Sequence, residues 1–391
     1  MEFGPAQVLD SLGEAPASEL LGPHGPDLAG EFGRPFRVLH RALELYTAGS
    51  VLGLLGDLGL DAPLRRGATL EGLCAGLPDQ ARVPLAWMLS FLAQEGLLEA
   101  RDGLSRLPPE GRVDLEGLRA LAEAEAPGQG IAFDLIAGVR RHIRPFFASG
   151  TPGEALLFDL TLFPLWLAYF RNDNPVYRPN NLFALLALRE GLPEGARILE
   201  LGAGAGSFAR MVAERAGAEG WAGRLAEYRF TDVAPAFLRK AQRELPSELP
   251  GFPLAFQSLD LDRPLEDQGI ATASLDAIVA INVVHVARDL HGTLRDLRSR
   301  LKPEGRLIVG ECLKPALDRA LYQEFAFSFL SSFTAVDLDP RWRPAHGFLT
   351  PELWQAAVAH AGFGNSHWVP DVRPLMDRHP AFNAGALVAH S

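Results

Sequence analysis

The chain has 391 residues, of which 48% are hydrophobic and 22% charged, as in a soluble globular protein that buries a large core. Its formal net charge of −11 argues against a nucleic-acid substrate, because a phosphate backbone calls for a basic surface. The two cysteines, Cys74 and Cys312, lie far apart in sequence without metal-type spacing, which favours free thiols in a reducing cytoplasm and no metal site. No secretion signal opens the chain, so we expect a cytoplasmic protein without a membrane span.

The first part of the chain predicts a flexible arm followed by a small helical domain. Residues 1–33 are rich in Gly and Pro with little periodicity. In residues 34–110 the pattern predicts three helices, over 34–60, from a Thr69 cap to Leu77, and over 83–95. A hairpin with an Asp102-Gly103 turn follows, which makes the segment winged-helix-like. Because 83–95 carries no Lys or Arg, an apolar dimerisation domain is favoured over a DNA reader.

Residues 111–192 predict a mainly helical connector and active-site lid. The segment from Leu156 to Phe170 is very apolar, but Asp159 and Pro164 interrupt it, and it is shorter than the roughly 20 residues of a membrane span. We therefore expect one buried helix there. Earlier in the connector, Arg140, Arg141 and Arg144 form with His142 a compact basic run. This run indicates either a solvated helix face or a contact with an acidic carrier protein or its phosphopantetheine arm.

Residues 193–391 predict an α/β domain, because strand and helix patterns alternate to the end of the chain. The expected fold is a doubly wound, Rossmann-like sheet of seven strands, the last pair forming an antiparallel edge. The predicted strands are 197–201, 226–231, 254–259, 275–281, 305–311, 366–370 and 384–389.

The first of these strands runs into a glycine-rich turn. Gly202, Gly204 and Gly206 let the backbone turn tightly and approach a ligand at the carboxyl end of a parallel strand. The spacing G-x-G-x-G differs from the dinucleotide fingerprint G-x-G-x-x-G. Glu200, just before the turn, would repel a pyrophosphate but suits the cationic end of S-adenosylmethionine. The alternative is a tight turn without a ligand.

Acidic residues end the next two strands. Asp232 stands where a Rossmann-like fold holds ribose hydroxyls, since a carboxylate accepts two O–H donors. Asp260 and Leu261 suit the amino group and ring face of adenine. The alternatives are a helix cap for Asp232 and a turn residue for Asp260. Their order after the glycine turn favours cofactor binding.

A candidate general base follows the fourth strand. His285 stands after that strand and Glu311 ends the fifth, so the two meet at the carboxyl edge of the sheet. Imidazole accepts protons near neutral pH, and a carboxylate behind it would fix its tautomer. The alternative is a structural cap and a strand-end hydrogen bond. Hydrogen-bond donors for an anionic substrate oxygen could come from Tyr177, Asn180, Asn181 and Asn282, with Asn282 also a candidate cofactor contact.

These blocks resemble class I S-adenosylmethionine-dependent methyltransferases, and their order resembles the C-methyltransferase domains of polyketide synthases. The residues concerned are Glu200–Gly206, Phe230–Gln242, Leu259–Asp262 with Gln268-Gly269, Ile281–Leu290 and Leu301–Glu311. Residues 34–107 resemble instead the N-terminal winged-helix domain of small-molecule O-methyltransferases. Departures from the C-methyltransferase pattern lie around the histidine, at Ile281, Val284 and Val286-Ala287.

The resemblance implies S-adenosyl-L-methionine as cofactor and His285 with Glu311 as a catalytic pair. It also aligns Tyr177 loosely with an active-site tyrosine of the C-methyltransferases, although a structural tyrosine remains an equal alternative. The function implied is carbon methylation of a polyketide-like or β-ketoacyl molecule in secondary metabolism, free or held by a carrier protein. The alternative is methylation of a phenol or enol oxygen. The winged-helix part predicts a homodimer and favours a free-standing enzyme over a piece of a larger one.

Overall fold

The computed structural model describes residues 2–28, 30–108 and 111–391. These form two compact units. The described residues of Met1–Pro16, Gly30–Tyr169 and Lys314–Ala335 belong to the first unit, and those of Ala17–Ala29, Phe170–Leu313 and Val336–Ser391 to the second. The expected connector therefore divides between the units at Tyr169 and Phe170.

The first unit is mainly helical. Its longest helix, Arg34–Asp57, buries most of its length, including Val38, Leu45 and Val51. The other helices are Pro5–Asp10, Asp61–Arg66, Leu70–Cys74, Arg82–Gln94, Leu115–Glu125, Ile131–His142, Arg144–Ser149, Gly153–Leu157, Phe163–Tyr169, Glu324–Phe327 and Ser331–Thr334, with a 3₁₀ turn at Asp79–Ala81.

Two small sheets complete this unit. Leu104–Arg106 pairs antiparallel with Glu99–Arg101 and with Ala68–Thr69, so the predicted hairpin at Asp102-Gly103 is present. Thr69 caps the following helix by accepting a hydrogen bond from the Gly72 amide at 3.0 Å. Glu2–Phe3 pairs parallel with Arg112–Val113. The winged-helix interpretation and its role in dimerisation stay predictions.

One expectation for the connector differs from the structure. The single buried helix expected from Leu156 to Phe170 is wrong: two helices, Gly153–Leu157 and Phe163–Tyr169, flank a turn in which Leu160 is 96% exposed. Asp159 is the cause, because its carboxylate accepts hydrogen bonds from the amides of Thr161 and Leu162 and so competes with the helix. Within the predicted arm, residues 2–28 contain short elements, and its flexibility stays a prediction.

The second unit contains the predicted seven-stranded sheet, and the fold class is confirmed. Its strands are β1 (Ala196–Leu201), β2 (Leu225–Asp232), β3 (Leu254–Ser258), β4 (Leu275–Ile281), β5 (Leu301–Cys312), β6 (Ser366–Val369) and β7 (Ala384–His390). They run in the order β6-β7-β5-β4-β1-β2-β3. The pairs from β5 to β3 are parallel, and β7 pairs antiparallel with both β5 and β6.

Helices alternate with these strands, as the apolar runs predicted. They are Gly25–Leu28, Arg178–Arg189, Ser207–Glu219, Pro235–Glu248, Leu290–Arg300, Pro351–His360 and Val372–Arg378, with 3₁₀ turns at Ser18–His24, Ala222–Arg224 and Val284–Val286. The central strands are buried almost throughout, as expected of a parallel sheet covered on both faces. Within the described ranges, no helix is long and apolar enough to cross a membrane.

Candidate active site

The glycine turn after β1 has a backbone that other residues adopt only with strain. Gly202, Gly204 and Gly206 have φ of 55°, 51° and 75°. At Gly202 space is also limiting, because an added Cβ would lie 2.5 Å from Cγ2 of Val283, just after β4. The Ala203 amide donates to the carbonyl of Thr231 in β2 at 2.8 Å. The turn is therefore packed tightly against the ends of two neighbouring strands.

Two buried carboxyl groups flank this turn. Glu200 is 3% exposed and accepts a hydrogen bond from the Tyr228 hydroxyl at 2.8 Å. Burial raises the pKa of Glu200 to about 8; the Tyr228 hydrogen bond opposes this shift and the nearby Asp232 adds to it. Asp232 accepts from the amides of Gly204 at 2.8 Å and Ala234 at 2.7 Å, and burial raises its pKa. Asp232 thus shapes the glycine turn directly.

The contacts of Asp260 are local. Its carboxylate accepts from the Asp262 amide at 2.9 Å, which is the turn role considered as its alternative. Gln268 braces the same turn: its side chain accepts from the Asp260 amide and donates to the Asp260 carbonyl, both at 2.8 Å. The Leu261 carbonyl accepts from the Thr293 hydroxyl at 3.3 Å. A contact of Asp260 and Leu261 with adenine stays a prediction.

The structure brings His285 and Glu311 together, in the arrangement expected from the two strand ends. The His285 ring Nδ1 lies 2.8 Å from one carboxylate oxygen of Glu311, and the His285 amide donates to the other oxygen at 3.4 Å. His285 is 6% exposed and Glu311 is fully buried. With Nδ1–H donating to the carboxylate, the neutral imidazole carries its lone pair on Nε2.

Two neighbours of His285 were missed by the sequence analysis. The buried guanidinium of Arg343 donates to the His285 carbonyl at 3.0 Å and to the Ala287 carbonyl at 2.7 Å. Burial lowers the pKa of Arg343 to about 10, and nearby carboxylates, first Glu311, oppose the shift. The ring of Phe348 lies 4.7 Å from the imidazole, measured between centroids. Neither residue carries a local sequence signal, since both come from the long segment between β5 and β6.

Of the proposed donors, Tyr177 and Asn282 lie close to these groups. Burial raises the pKa of the Tyr177 hydroxyl, and the neighbouring Glu200 and Cys312 raise it further, so the hydroxyl stays protonated at neutral pH. Asn282 has φ of 53°, and its side-chain oxygen accepts from the Cys312 amide at 3.0 Å, which ties the end of β4 to the end of β5.

The asparagines of the helix Arg178–Arg189 are buried. The Asn180 side chain donates to the Tyr177 carbonyl at 3.1 Å, and the Asn181 side chain donates to Asn172 at 2.7 Å. The side-chain oxygen of Asn181 is buried without a hydrogen-bond partner among the described residues. Cys312 is buried whereas Cys74 is only partly so, and both are free thiols.

These residues fit S-adenosylmethionine. The glycine turn lies at the carboxyl end of a parallel strand, where open α/β sheets bind ligands, and two buried carboxyl groups beside it offer acceptors for a cation and for hydroxyl groups. Nothing in the described part of the chain groups three or more His, Cys, Asp or Glu side chains as a metal site would require.

Comparison with known proteins identifies a protein family that matches part of the chain. Residues 199–307 match the family described as "Methyltransferase domain". This match covers the glycine turn, Asp232, Asp260 and His285. The chain thus contains a segment that matches a methyltransferase domain, and the resemblance to methyltransferases seen in the sequence is confirmed.

The more particular likeness is to polyketide synthases and their carbon methyltransferases. Highly reducing polyketide synthase 2 of Gibberella zeae is 32% identical to this chain, and the alignment covers 44% of this chain and 7% of the relative. Polyketide synthase PksM of Bacillus subtilis is 30% identical, and the alignment covers 44% of this chain and 4% of the relative. The chain therefore spans less than a tenth of these relatives. The solved DszA and CurJ carbon methyltransferases share the fold, with TM-scores of 0.75 and 0.74 at 20% and 19% identity. Each alignment covers 96% of this chain, with 94% of DszA and 99% of CurJ.

Proposed function

We propose that the chain is an S-adenosylmethionine-dependent C-methyltransferase acting on a polyketide-like or β-ketoacyl small molecule in secondary metabolism. The buried hydrogen bond of 2.8 Å between His285 Nδ1 and Glu311 is the observation that carries the proposal. It orients an imidazole as a general base at the sheet edge that holds the glycine turn. The likeness to polyketide synthases in sequence, and to carbon methyltransferases in fold, supports carbon over oxygen as the acceptor.

The chain's own residues would generate the nucleophile. Nε2 of His285 takes the α-proton of the β-ketoacyl group, and the C–H electron pair becomes an enolate. Glu311 holds Nδ1–H in place and stabilises the imidazolium that results. The protonated Tyr177 hydroxyl and the side-chain nitrogen of Asn282 are the proposed donors to the enolate oxygen. S-adenosylmethionine, when bound, supplies an electrophilic methyl group.

The turn after β1 and the carboxyl groups beside it would bind the cofactor. Glu200 would face its cationic amino-acid end, and Gly202, Gly204 and Gly206 give it backbone to lie against. Asp232 would accept from the ribose hydroxyls through lone pairs not used by the Gly204 and Ala234 amides. Asp260, Leu261 and Asn282 complete the proposed set on the adenine side and at β4.

Partner and assembly follow from the same likeness. A carrier-bound acceptor is proposed because the relatives are polyketide synthases, and because a protein titled trans-methyltransferase CalH, in complex with SAH, shares the fold with a TM-score of 0.59 at 20% identity. A homodimer is proposed from the winged-helix-like part, and a cytoplasmic location from the two free cysteines. Light scattering at about twice the 42.4 kDa chain mass would support the dimer, and a monomer mass would contradict it.

Replacement of the base tests the catalytic assignment. His285→Ala should keep S-adenosylhomocysteine affinity while lowering turnover by about 100-fold or more, the usual scale for losing a general base. Glu311→Gln should cost less, because a hydrogen-bonding group remains to hold the ring. Calorimetry gives the affinity and a β-ketothioester methylation assay the turnover. Near-normal turnover in both variants would make the pair structural.

A further inference from the structure

The first unit contains a cavity that the proposed chemistry does not use. It has a volume of about 650 Å³, within the range of small-molecule sites. The helices Arg34–Asp57, Leu115–Glu125 and Ile131–His142 form its walls, and Arg144 adds to its rim. Its lining residues are Tyr46, Ser50, Leu54, Asp57, Leu115, Arg119, Asp134, Ala137, Arg140, Arg141 and Arg144.

The lining is basic in a chain that is acidic overall. Four arginines face two aspartates around the cavity, whereas the whole chain has a net charge of −11. Two of the arginines are neutralised by these acids: Arg119 pairs with Asp134 at 2.5 Å, and Arg140 lies 3.5 Å from Asp57. These pairs hold the side chains of the wall in place, and the two remaining arginines keep their positive charges unpaired by these acids.

The remaining two arginines have no acidic partner among the described residues. Arg141 donates only to the Ala137 carbonyl of its own helix, at 3.2 Å, which leaves its terminal nitrogens available. Arg144 makes neither a hydrogen bond nor an ion pair within that part of the chain, and both side chains are exposed. Charges of one sign held together without counter-charge repel one another, and an anion in the cavity would remove that cost.

The opposite wall is built to hold such a ligand in position. The guanidinium of Arg140 lies against Gly53, so that a side chain at position 53 would displace this arginine from its present place. The phenol of Tyr46 contacts Arg119, and Tyr46 and Ser50 are both buried, so hydroxyl groups line the floor.

We propose that this cavity binds a phosphate ester. Guanidinium groups bind phosphate through paired N–H donors, and hydroxyl donors on the floor would complete its coordination. A phosphate ester in this setting could come from a free molecule such as coenzyme A or from the phosphopantetheine arm of a carrier protein. The proposal stands apart from the catalytic assignment, since it uses no residue of the sheet edge.

Calorimetry on the full chain tests this, with inorganic phosphate and coenzyme A as probes. The variant R141Q/R144Q should weaken coenzyme A by about tenfold or more, the scale of two lost charge-assisted contacts. The matched control R66Q/R82Q removes the same charge from two exposed arginines of the same unit and should change affinity less than about twofold. Circular dichroism spectra and melting temperatures equal to those of the natural chain verify that both variants are folded.

A carrier protein separates the two sources. Stronger binding of the phosphopantetheinylated form than of the unmodified form, lost in R141Q/R144Q, assigns the phosphate to a carrier arm. Binding of coenzyme A alone assigns it to a free ester. The proposal is overturned if neither phosphate, coenzyme A nor modified carrier binds at millimolar concentration. It is equally overturned if R66Q/R82Q loses as much affinity as R141Q/R144Q.

Discussion

At the scale of single residues, the environment of Glu200 has a consequence for pH. With its pKa raised to about 8 by burial, the carboxyl is mostly neutral at pH 7 in the free protein. A cationic ligand favours the ionised form, so cofactor binding should release a proton and tighten as pH rises from 6 to 9. Glu200→Gln should lose about tenfold in affinity at the upper end, as for one charge-assisted hydrogen bond, and lose the pH dependence.

The same carboxyl affects stability with a defined sign. Its folded-state pKa lies above the ordinary 4.5, so its stabilising effect is complete below pH 4.5 and is lost as pH rises through about 8. Glu200→Gln should therefore gain in melting temperature, relative to the natural chain, between pH 6 and 9. Asp260→Asn, at a partly exposed turn, serves as the control. Parallel pH curves for the natural chain and the Gln variant would contradict the assignment.

Arg343 gives a second prediction at this scale. It donates to the carbonyls of His285 and Ala287, so it holds the backbone that carries the imidazole. Arg343→Lys keeps the charge but cannot bridge both carbonyls. We expect turnover to fall by about tenfold, the scale of one lost hydrogen bond to a charged group, with S-adenosylhomocysteine affinity kept.

The control for Arg343 is its exposed neighbour. Arg341 pairs with Asp339 at 2.8 Å, and Arg341→Lys should leave turnover unchanged. Equal turnover in the two variants would show that Arg343 does not position the base. A loss of cofactor affinity as large as the loss of turnover would indicate a general structural role instead.

At the scale of elements, substitutions in the glycine turn distinguish the cost of backbone strain from the cost of steric crowding. Gly202 and Gly204 have similar φ, but an alanine at 204 would meet nothing nearer than 3.8 Å, whereas one at 202 meets Val283 at 2.5 Å. Gly204→Ala should cost about 1–2 kcal/mol for the left-handed backbone. Gly202→Ala should add about 1–3 kcal/mol of overpacking and abolish cofactor binding.

A double variant checks the cause. Val283→Ala removes the methyl groups that an alanine at 202 would strike, so Gly202→Ala with Val283→Ala should be more stable than Gly202→Ala alone. Chemical denaturation measures the difference. If the second substitution restores nothing, crowding at Val283 is not the reason for glycine at this position.

The elements were largely predictable because local patterns specify them. Buried parallel strands are continuous apolar runs, so β1, β4 and β5 were found within a few residues of their bounds. The meeting of His285 and Glu311 was predictable as well, since neighbouring parallel strands end at one edge. The helix expected from Leu156 to Phe170 failed because one side chain, Asp159, redirects the backbone through hydrogen bonds that apolar spacing does not reveal.

Contacts between segments that are distant in sequence could not be predicted from the sequence. Arg343 meets the His285 carbonyl across 58 positions of sequence, and an arginine in a loop rich in Pro and Trp carries no pattern that predicts burial. The raised pKa of Glu200 likewise depends on the burial of its side chain when the sheet forms and on the nearby Asp232, whereas the Tyr228 hydrogen bond opposes it. Such features follow from tertiary packing rather than from local periodicity.

At the scale of the whole molecule, the proposed active site and the arginine-lined cavity belong to different units of the chain. The methyltransferase family matches residues 199–307, all in the second unit, while the first unit holds the arginine-lined cavity. The relatives in which this chain spans only a few per cent of the length are named polyketide synthases.

The most direct test of the central claim, carbon methylation by a His285-dependent base, is NMR of the product formed with ¹³C-methyl-labelled S-adenosylmethionine and a β-ketoacyl thioester. Carbon methylation places the labelled signal in the aliphatic C-methyl region, and His285→Ala should remove that signal while the cofactor still binds. A signal in the methoxy region would contradict carbon as the acceptor. If His285→Ala forms the C-methyl product at the same rate as the natural chain, His285 is not the general base.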